Sequence, residues 1–352
     1  MTTKQWRVGI IGLGGIGDYH MNNLAKIGNA TVAAICDVNA KAVEQAGNRL
    51  NLPAEKRYSD FKAIIADPDI DFLISGVSNK FHYDILKCAI EHGKPIFSEK
   101  PFTRTIEEAD ELLSLYEQNP IPCMIGFSYR YRPCFKYVKQ LVTDGSLGQI
   151  RHIAAHYLQE ENAPMFNKEY TWRFNKDMAG SGILADIGSH MVDAARFFVG
   201  EFTQVSGMMT TFTDRRLDKR TGEYAEVDVD DFTSFQSVHE GGVVGSFYTH
   251  KNAIGTGNQF NVTLFGDLGT ARMSVEKPNE VHLTLRSGNN LQLTESVIHL
   301  DEKTIKPMLQ DFVDYLDHLD TPTFPTLIDG YRNQQVLQAI IDSAQDGVTR
   351  RL

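Results

Sequence analysis

The sequence predicts a two-domain chain of the α/β class: a doubly wound parallel sheet comes first, then an α+β domain built on a mostly antiparallel sheet. Three observations predict it. Short apolar runs alternate with helical stretches from Arg7 to about Phe127. A glycine-rich turn, Gly12-Leu13-Gly14-Gly15-Ile16-Gly17, separates the first run from the first helix. Beyond Phe135, strand-like segments follow one another with few helices between them. At 352 residues the chain is too long for one ordinary core, and the change of pattern divides it into residues 1–127 and 128–352.

In the first part, strands are expected near Arg7–Ile11, Thr31–Cys36, Asp71–Val77, Pro95–Ser98 and Cys123–Phe127. Between them the apolar spacing predicts helices from Gly15, over Ala40–Leu50 and Phe61–Ala66, near His82–His92 and over Ile106–Glu117. In the second part a helix ending near Val142 leads through the turn Asp144–Gly148. Strands follow near Ile150–Tyr157, Gln204–Phe212, Asp231–Ser237, Gly242–His250, Gln259–Phe265, Thr270–Val275 and Val281–Arg286. Helices are expected near His190–Phe198, Pro307–Leu319 and Ile328–Ala344, and the last two are candidates to pack back on the first domain.

The glycine-rich turn carries chemistry as well as geometry. Its first glycine permits the tight turn, its second lets backbone approach a pyrophosphate, and its third lets helix and strand pack closely. The phosphates then meet the positive end of a helix, with Gly12, Gly14, Gly15 and Ile16 as contacts. Asp37 ends the next apolar run, about 20 residues after the last glycine, where a carboxylate accepts from a ribose 2′-hydroxyl and repels a 2′-phosphate. NAD is therefore the expected cofactor rather than NADP.

With 35 Lys and Arg against 45 Asp and Glu, the net charge of −10 argues against nucleic-acid and anionic-membrane surfaces. An anionic cofactor is still held by backbone N–H groups, whereas a strongly anionic substrate is disfavoured. Cys36, Cys88, Cys123 and Cys134 lack the spacing of a zinc cluster or a disulfide framework, which suits a reducing compartment. The N-terminal residues carry no signal-like apolar region and no stretch is long enough to span a membrane, so a cytoplasmic location is expected.

Three segments place polar residues where a core pattern would not. Ser98-Glu99-Lys100-Pro101 follows a strand, so Lys100 is expected at the cofactor crevice, in reach of a substrate oxygen. Val77-Ser78-Asn79-Lys80-Phe81-His82 follows another strand, which makes Asn79 and His82 candidate cofactor contacts, with helix capping by Ser78 or Asn79 as the plain alternative. Between Gly180 and Asp193, the spacing puts Asp186, His190 and Asp193 on one helix face behind several glycines that suit close approach to a bound molecule. A histidine suits removal of a hydroxyl proton during hydride transfer, which makes His190 the candidate base. Asp186 is then its orienting carboxylate and Asp193 a holder of a substrate hydroxyl. A structural His190 capped by Asp186, or a shared zinc without an evident third ligand, are the alternatives.

With these segments in place, the chain resembles the Gfo/Idh/MocA family of sugar and polyol oxidoreductases, which includes inositol dehydrogenases. The resemblance covers nearly the whole chain. It rests on the glycine turn, Val77-Ser78-Asn79 with His82, Glu99-Lys100-Pro101, Gly126-Phe127-Ser128-Tyr129-Arg130-Tyr131, and Trp172-Arg173 followed by Gly180 to Asp193. It implies an N-terminal Rossmann domain and a C-terminal domain whose large open sheet forms homo-oligomers, commonly tetramers. It also implies a catalytic Lys100, Asp186 and His190. Val77, Ser78, Asn79, His82, Glu99, Lys100, Arg130, Trp172 and Arg173 then fall at the cofactor, and Tyr157 and Asp193 at the substrate. Asp193 matches a position that touches substrate in inositol dehydrogenases. The chain departs from the family at Val77-Ser78, where a threonine-proline is common, and at Ser128, usually asparagine.

The expected activity is NAD-dependent oxidation of a secondary hydroxyl of a small cyclic polyol or sugar, inositol first, with glucose, xylose or an anhydrosugar as the alternative. A non-catalytic dinucleotide or sugar sensor has no need of Lys100, Asp186 and His190 together. An enzyme that reduces and reoxidises a retained NAD within one cycle keeps them, and retention of NAD through purification distinguishes it.

Overall fold

The computed structural model describes residues 4–287, 292–301 and 305–352. Two compact units emerge: Met1–Gly126 with Pro307–Arg332, and Phe127–Lys306 with Asn333–Leu352. The architecture is the predicted one, a parallel sheet followed by a mostly antiparallel sheet.

In the first unit six strands run parallel in the order β3-β2-β1-β4-β5-β6: β1 Trp6–Ile11, β2 Ala30–Cys36, β3 Arg57–Tyr58, β4 Phe72–Ser75, β5 Ile96–Ser98 and β6 Cys123–Ile125. Helices α1 Gly15–Leu24, α2 Ala40–Arg49, α3 Phe61–Ala66, α4 His82–Glu91 and α5 Ile106–Gln118 alternate with them. Central strands of such a sheet are covered on both faces, which is why β4 is buried at every residue and reads as a continuous apolar run. The strand order reverses between β1 and β4, and ligands of such sheets bind beyond the carboxyl ends at that reversal. The segment Pro307–Arg332 completes the unit. Its helix Met308–His318 places Phe312 edge-on to Phe72 at 5.6 Å, and its Asp317 accepts from Trp6 Nε1 at 2.8 Å.

The second unit opens with α6, Pro133–Thr143, and β7, Ile150–Gln159. After α7 Lys176–Ala179 and α8 Ser189–Val199 come the remaining strands: β8 Phe202–Thr210, β9 Arg215–Asp218, β10 Glu223–Glu226, β11 Phe232–His239, β12 Val244–His250, β13 Asn258–Gly266, β14 Gly269–Ser274, β15 Lys277–Ser287, β16 Gln292–His299 and β17 Arg350–Arg351. Nine of them form one sheet in the order β16-β15-β14-β13-β7-β12-β11-β8-β17, and β9 pairs with β10 apart from it. Pairing is antiparallel except between β7 and β12. Side chains alternate between faces. The row Phe235, Phe247, Ala155, Val262 is buried with Phe135, Met191, Phe198 and Ile340, whereas the next row, Ser234, Tyr248, His156, Asn261, lies on the other face.

The short β3, the β9–β10 hairpin, β16 and β17 were not expected from the sequence. β16 is exposed along almost its whole length and has no apolar alternation to read, and β17 is two residues long.

Candidate active site

In the first unit, β1 delivers the chain into Gly12, whose φ of +89° is left-handed backbone and whose missing β-carbon would lie 2.7 Å from Gly76 O. A β-carbon on Gly17 would lie 2.0 Å from Gly12 O, so the third glycine allows α1 to start directly against the turn. At Gly14 and Gly15 the same construction meets nothing within 4 Å, and Gly14 caps α1 without a side chain. The first N–H groups of a helix have no partner inside it. This opening therefore suits a pyrophosphate, with Gly14, Gly15 and Ile16 as donors. Asp37 is fixed at the end of β2: Oδ2 accepts Leu13 N–H at 2.7 Å and Oδ1 accepts Asn39 N–H at 2.8 Å. Each carboxylate oxygen keeps a second lone pair for a ribose hydroxyl.

The loops after β4 and β5 flank this cradle. Ser78 precedes the short 3-10 turn Asn79–Phe81 without a side-chain capping bond, and Asn79 is buried. His82, expected at the cofactor, is turned into the protein. Its side chain lies on the buried face of α4 at 1% exposure, with Nδ1 2.7 Å from the carbonyl of Pro101. Burial lowers its pKa, and its ring bridges the two loops, with Nε2 3.2 Å from the carbonyl of Val77. The Lys100–Pro101 peptide is cis. Glu99 accepts Lys100 N–H at 3.2 Å and pairs with His20 Nε2 at 2.8 Å. Gly126 gives the Glu99 carboxylate room, since a β-carbon there would lie 3.0 Å from it. Burial alone would raise the Glu99 pKa, but His20 and Lys100 outweigh it and hold the carboxyl below its ordinary range. His20 carries no motif of its own in the sequence, and its role follows only from this contact.

Asp186, His190 and Asp193 belong to the second unit. The expected uniform α-helix is instead a π-helical turn, Leu184–Gly188, running into α8. Such turns recur at functional sites. Of the glycines before it, Gly182 approaches this chain itself: a β-carbon there would lie 2.2 Å from Asp230 O. The Asp230 carboxylate accepts Gly182 N–H at 2.7 Å, Leu184 N–H at 3.0 Å and Thr233 Oγ1 at 2.6 Å, and this anchors the start of the π turn. Burial raises its pKa.

His190 is 7% exposed, with its ring centroid 4.4 Å from Tyr129, 6.4 Å from Tyr157 and 6.5 Å from Phe127. Tyr157 is buried and stacked on Phe260, and its hydroxyl lies 2.6 Å from that of Tyr129. Burial raises the pKa of both phenols, which keeps them as neutral hydrogen-bonding hydroxyls. Asp186 accepts a short bond from Lys251 Nζ, and Arg173 Nε stands 4.0 Å from the same oxygen, its guanidinium over Trp172 at 4.4 Å. An ammonium thus faces Asp186 where a metal was the alternative. No group of three or more metal-ligating side chains converges among the described residues.

Asp193 and Arg130, expected at the substrate and at the cofactor, meet each other. Arg130 Nε and Nη2 clamp the Asp193 carboxylate at 2.6–3.1 Å, and Asp193 is 3% exposed. The pair joins the 3-10 turn Ser128–Tyr131 to α8.

Two family models match these two halves. Residues 6–127 match an oxidoreductase family with an NAD-binding Rossmann fold, and residues 135–272 match the GFO/IDH/MocA C-terminal domain. The chain belongs to the GFO/IDH/MocA family. Among relatives of this family, levoglucosan dehydrogenase of Pseudarthrobacter phenanthrenivorans is 32% identical over 298 residues, covering 80% of this chain and 76% of that one. The NAD-dependent scyllo-inositol 2-dehydrogenase of Bacillus subtilis is 30% identical over 205 residues, covering 58% and 57%. The solved structure of a levoglucosan dehydrogenase with NADH and L-sorbose is 28% identical and superposes with a TM-score of 0.92 over 99% of both chains. The first unit is therefore the NAD-binding domain of a GFO/IDH/MocA oxidoreductase, and its cofactor is NAD.

Lys251 escaped the sequence reading. The signal was present: Gly245, Phe247, Thr249 and Lys251 alternate along β12 and just past it, and all four are buried, so the period of a strand turns this lysine inward. Tyr129 lay inside a recognised motif, but its place against His190 depends on folding.

Proposed function

We propose that this GFO/IDH/MocA protein oxidises a secondary hydroxyl of a neutral cyclic sugar or polyol, with NAD as the freely exchanging acceptor. The observation that carries the reading is the surroundings of His190: a buried imidazole among the neutral hydroxyls of Tyr129 and Tyr157, on the same turn of chain as the ionic Asp186. When bound, NAD supplies the hydride acceptor. The imidazole of His190 takes the hydroxyl proton, Asp186 steadies the imidazolium, and Lys100 polarises the same oxygen. Arg173 and Trp172 are cofactor contacts in this reading.

Within neutral carbohydrates, an anhydrosugar such as levoglucosan is our first choice. The levoglucosan dehydrogenase is matched over more of the chain than the scyllo-inositol enzyme, and Asp193, the residue that linked the chain to inositol, is held by Arg130. Inositol is the second reading, supported by the match to inositol dehydrogenases.

We further place the protein in the cytoplasm as a homo-oligomer. Four free, buried cysteines support the first. Met208, Tyr248, Phe265 and Val297, exposed on the large sheet, support the second. Among the described residues no helix is long and apolar enough to cross a membrane.

The test is absorbance in the NADH band with levoglucosan, myo-inositol, scyllo-inositol, glucose and xylose, with NADP in parallel. NAD-dependent growth with one of them is the expected result. Silence across the panel with NAD binding intact would sink the dehydrogenase reading and favour a sensor or a retained cofactor.

A further inference from the structure

Lys251 is an ammonium placed where few are tolerated: its side chain is 6% exposed. Its backbone is held on both sides, the N–H donating to Asp231 O at 3.3 Å and the carbonyl accepting Asn162 N–H at 2.9 Å. The parallel register of β7 with β12 pairs His250 with Leu158, which sets Lys251 beside the strand end that leads to Glu161. There its Nζ donates to Glu161 Oε1 at 3.1 Å and to Asp186 Oδ2. A buried ammonium is tolerated only when paired, and removing one member of such a pair leaves the other charge stranded.

The groups facing this pair come from several elements. Arg173 stands 4.0 Å from Asp186 on the 3-10 turn Trp172–Phe174, and Lys168 is 2.9 Å from Glu161. Tyr129 and Tyr157 lie close enough to feel the Asp186 charge, and His190 follows Asp186 by one turn. Lys251, Arg173 and Lys168 therefore surround two carboxylates, Asp186 and Glu161, and the local balance is cationic.

We propose that Lys251 is a positioning residue of the reaction: by pairing with Asp186 it keeps that carboxylate ionised and in place beside the base. Although burial disfavours its charge, the two carboxylates raise the pKa of Lys251, so the cation persists across the neutral range. Removing this cation raises the proton affinity of both Asp186 and His190. Each change moves the acid limb of activity in the same direction, toward higher pH.

The proposal rests on the dehydrogenase reading, and its test separates the two. In Lys251→Met the acid limb of kcat/KM is expected to rise by about one pH unit, with activity recovering on the alkaline side, because an opposite charge at this range shifts a carboxyl by one unit or more. Lys251→Arg restores the charge and returns the limb toward that of the parent. Glu161→Gln acts oppositely: it leaves Lys251 to Asp186 alone and lowers the limb, and it serves if Lys251→Met does not fold. A limb that stays in place in both Lys251→Met and Glu161→Gln overturns the proposal. If the parent protein turns over no substrate at any pH, the dehydrogenase reading fails, and the pairing is judged by thermal unfolding of Lys251→Met, Asp186→Asn and the double variant. Losses that overlap support the pair, and additive losses refute it.

Discussion

Replacing Asp193 by Asn should cost this protein stability rather than substrate affinity. The substitution keeps the size of the side chain and removes one charge from a pair whose contacts are 2.6–3.1 Å and whose side chains are 13% and 4% exposed. With charge centres about 4 Å apart and an effective dielectric near 20, the lost attraction is about 4 kcal/mol. That agrees with the about 3–5 kcal/mol lost when one member of a buried pair is removed. For a folding unit of this size each kcal/mol moves the melting temperature by about 2–4 °C, so Asp193→Asn should melt about 6–20 °C lower. Differential scanning calorimetry at pH 7, with steady-state kinetics on the same preparation, reads both quantities. The double variant Arg130→Met with Asp193→Leu should recover most of the loss, since apolar side chains of similar volume replace a buried pair without penalty. A melting temperature within about 2 °C of the parent, together with a raised KM for the sugar or polyol, would refute the reasoning and return Asp193 to the substrate.

Gly17→Ala forces a β-carbon to within 2.0 Å of Gly12 O. Overpacking of about 1–3 kcal/mol translates to a Kd for NAD raised about 5–150-fold, measured by fluorescence titration, and an unchanged Kd counts against the cradle. Lys100→Ala is expected to lower kcat by about 10²–10⁴-fold with NAD affinity retained, and unchanged turnover removes Lys100 from the chemistry. The Glu99 carboxyl is held below its ordinary 4.5 in the folded chain. Its contribution to stability is thus complete above that value and is lost as the pH falls below it. Urea unfolding should find Glu99→Gln less stable than the parent at pH 7, with a gap that narrows below about pH 4.5. A gap that widens with acid contradicts the pairing with His20.

The parallel sheet and its cradle were legible because their signals are local. Gly12 to Gly17 dictate a turn through the absence of side chains, and Asp37 follows at the end of one strand, so both the geometry and the NAD preference lie within a few dozen residues of sequence. The catalytic candidates Lys100, Asp186 and His190 were legible as polar residues in apolar or glycine-rich surroundings. Their partners were not. The turn that carries Asp186 proved π-helical, anchored by Asp230 from a distant loop, and no spacing within Gly180–Asp193 encodes that.

By itself the sequence determined the alternation of the main strands and helices of the parallel sheet, the glycine cradle and the candidate groups for moving a proton. The tertiary structure alone decided what each charge answers to. Asp186 meets Lys251, Asp193 meets Arg130 and Glu99 meets His20, pairs separated by 65, 63 and 79 residues. The first set rests on backbone conformation and periodicity, which neighbouring residues control. The second rests on which strand ends and helix starts the fold brings within 3 Å, where burial strengthens a pair and strands a charge left alone.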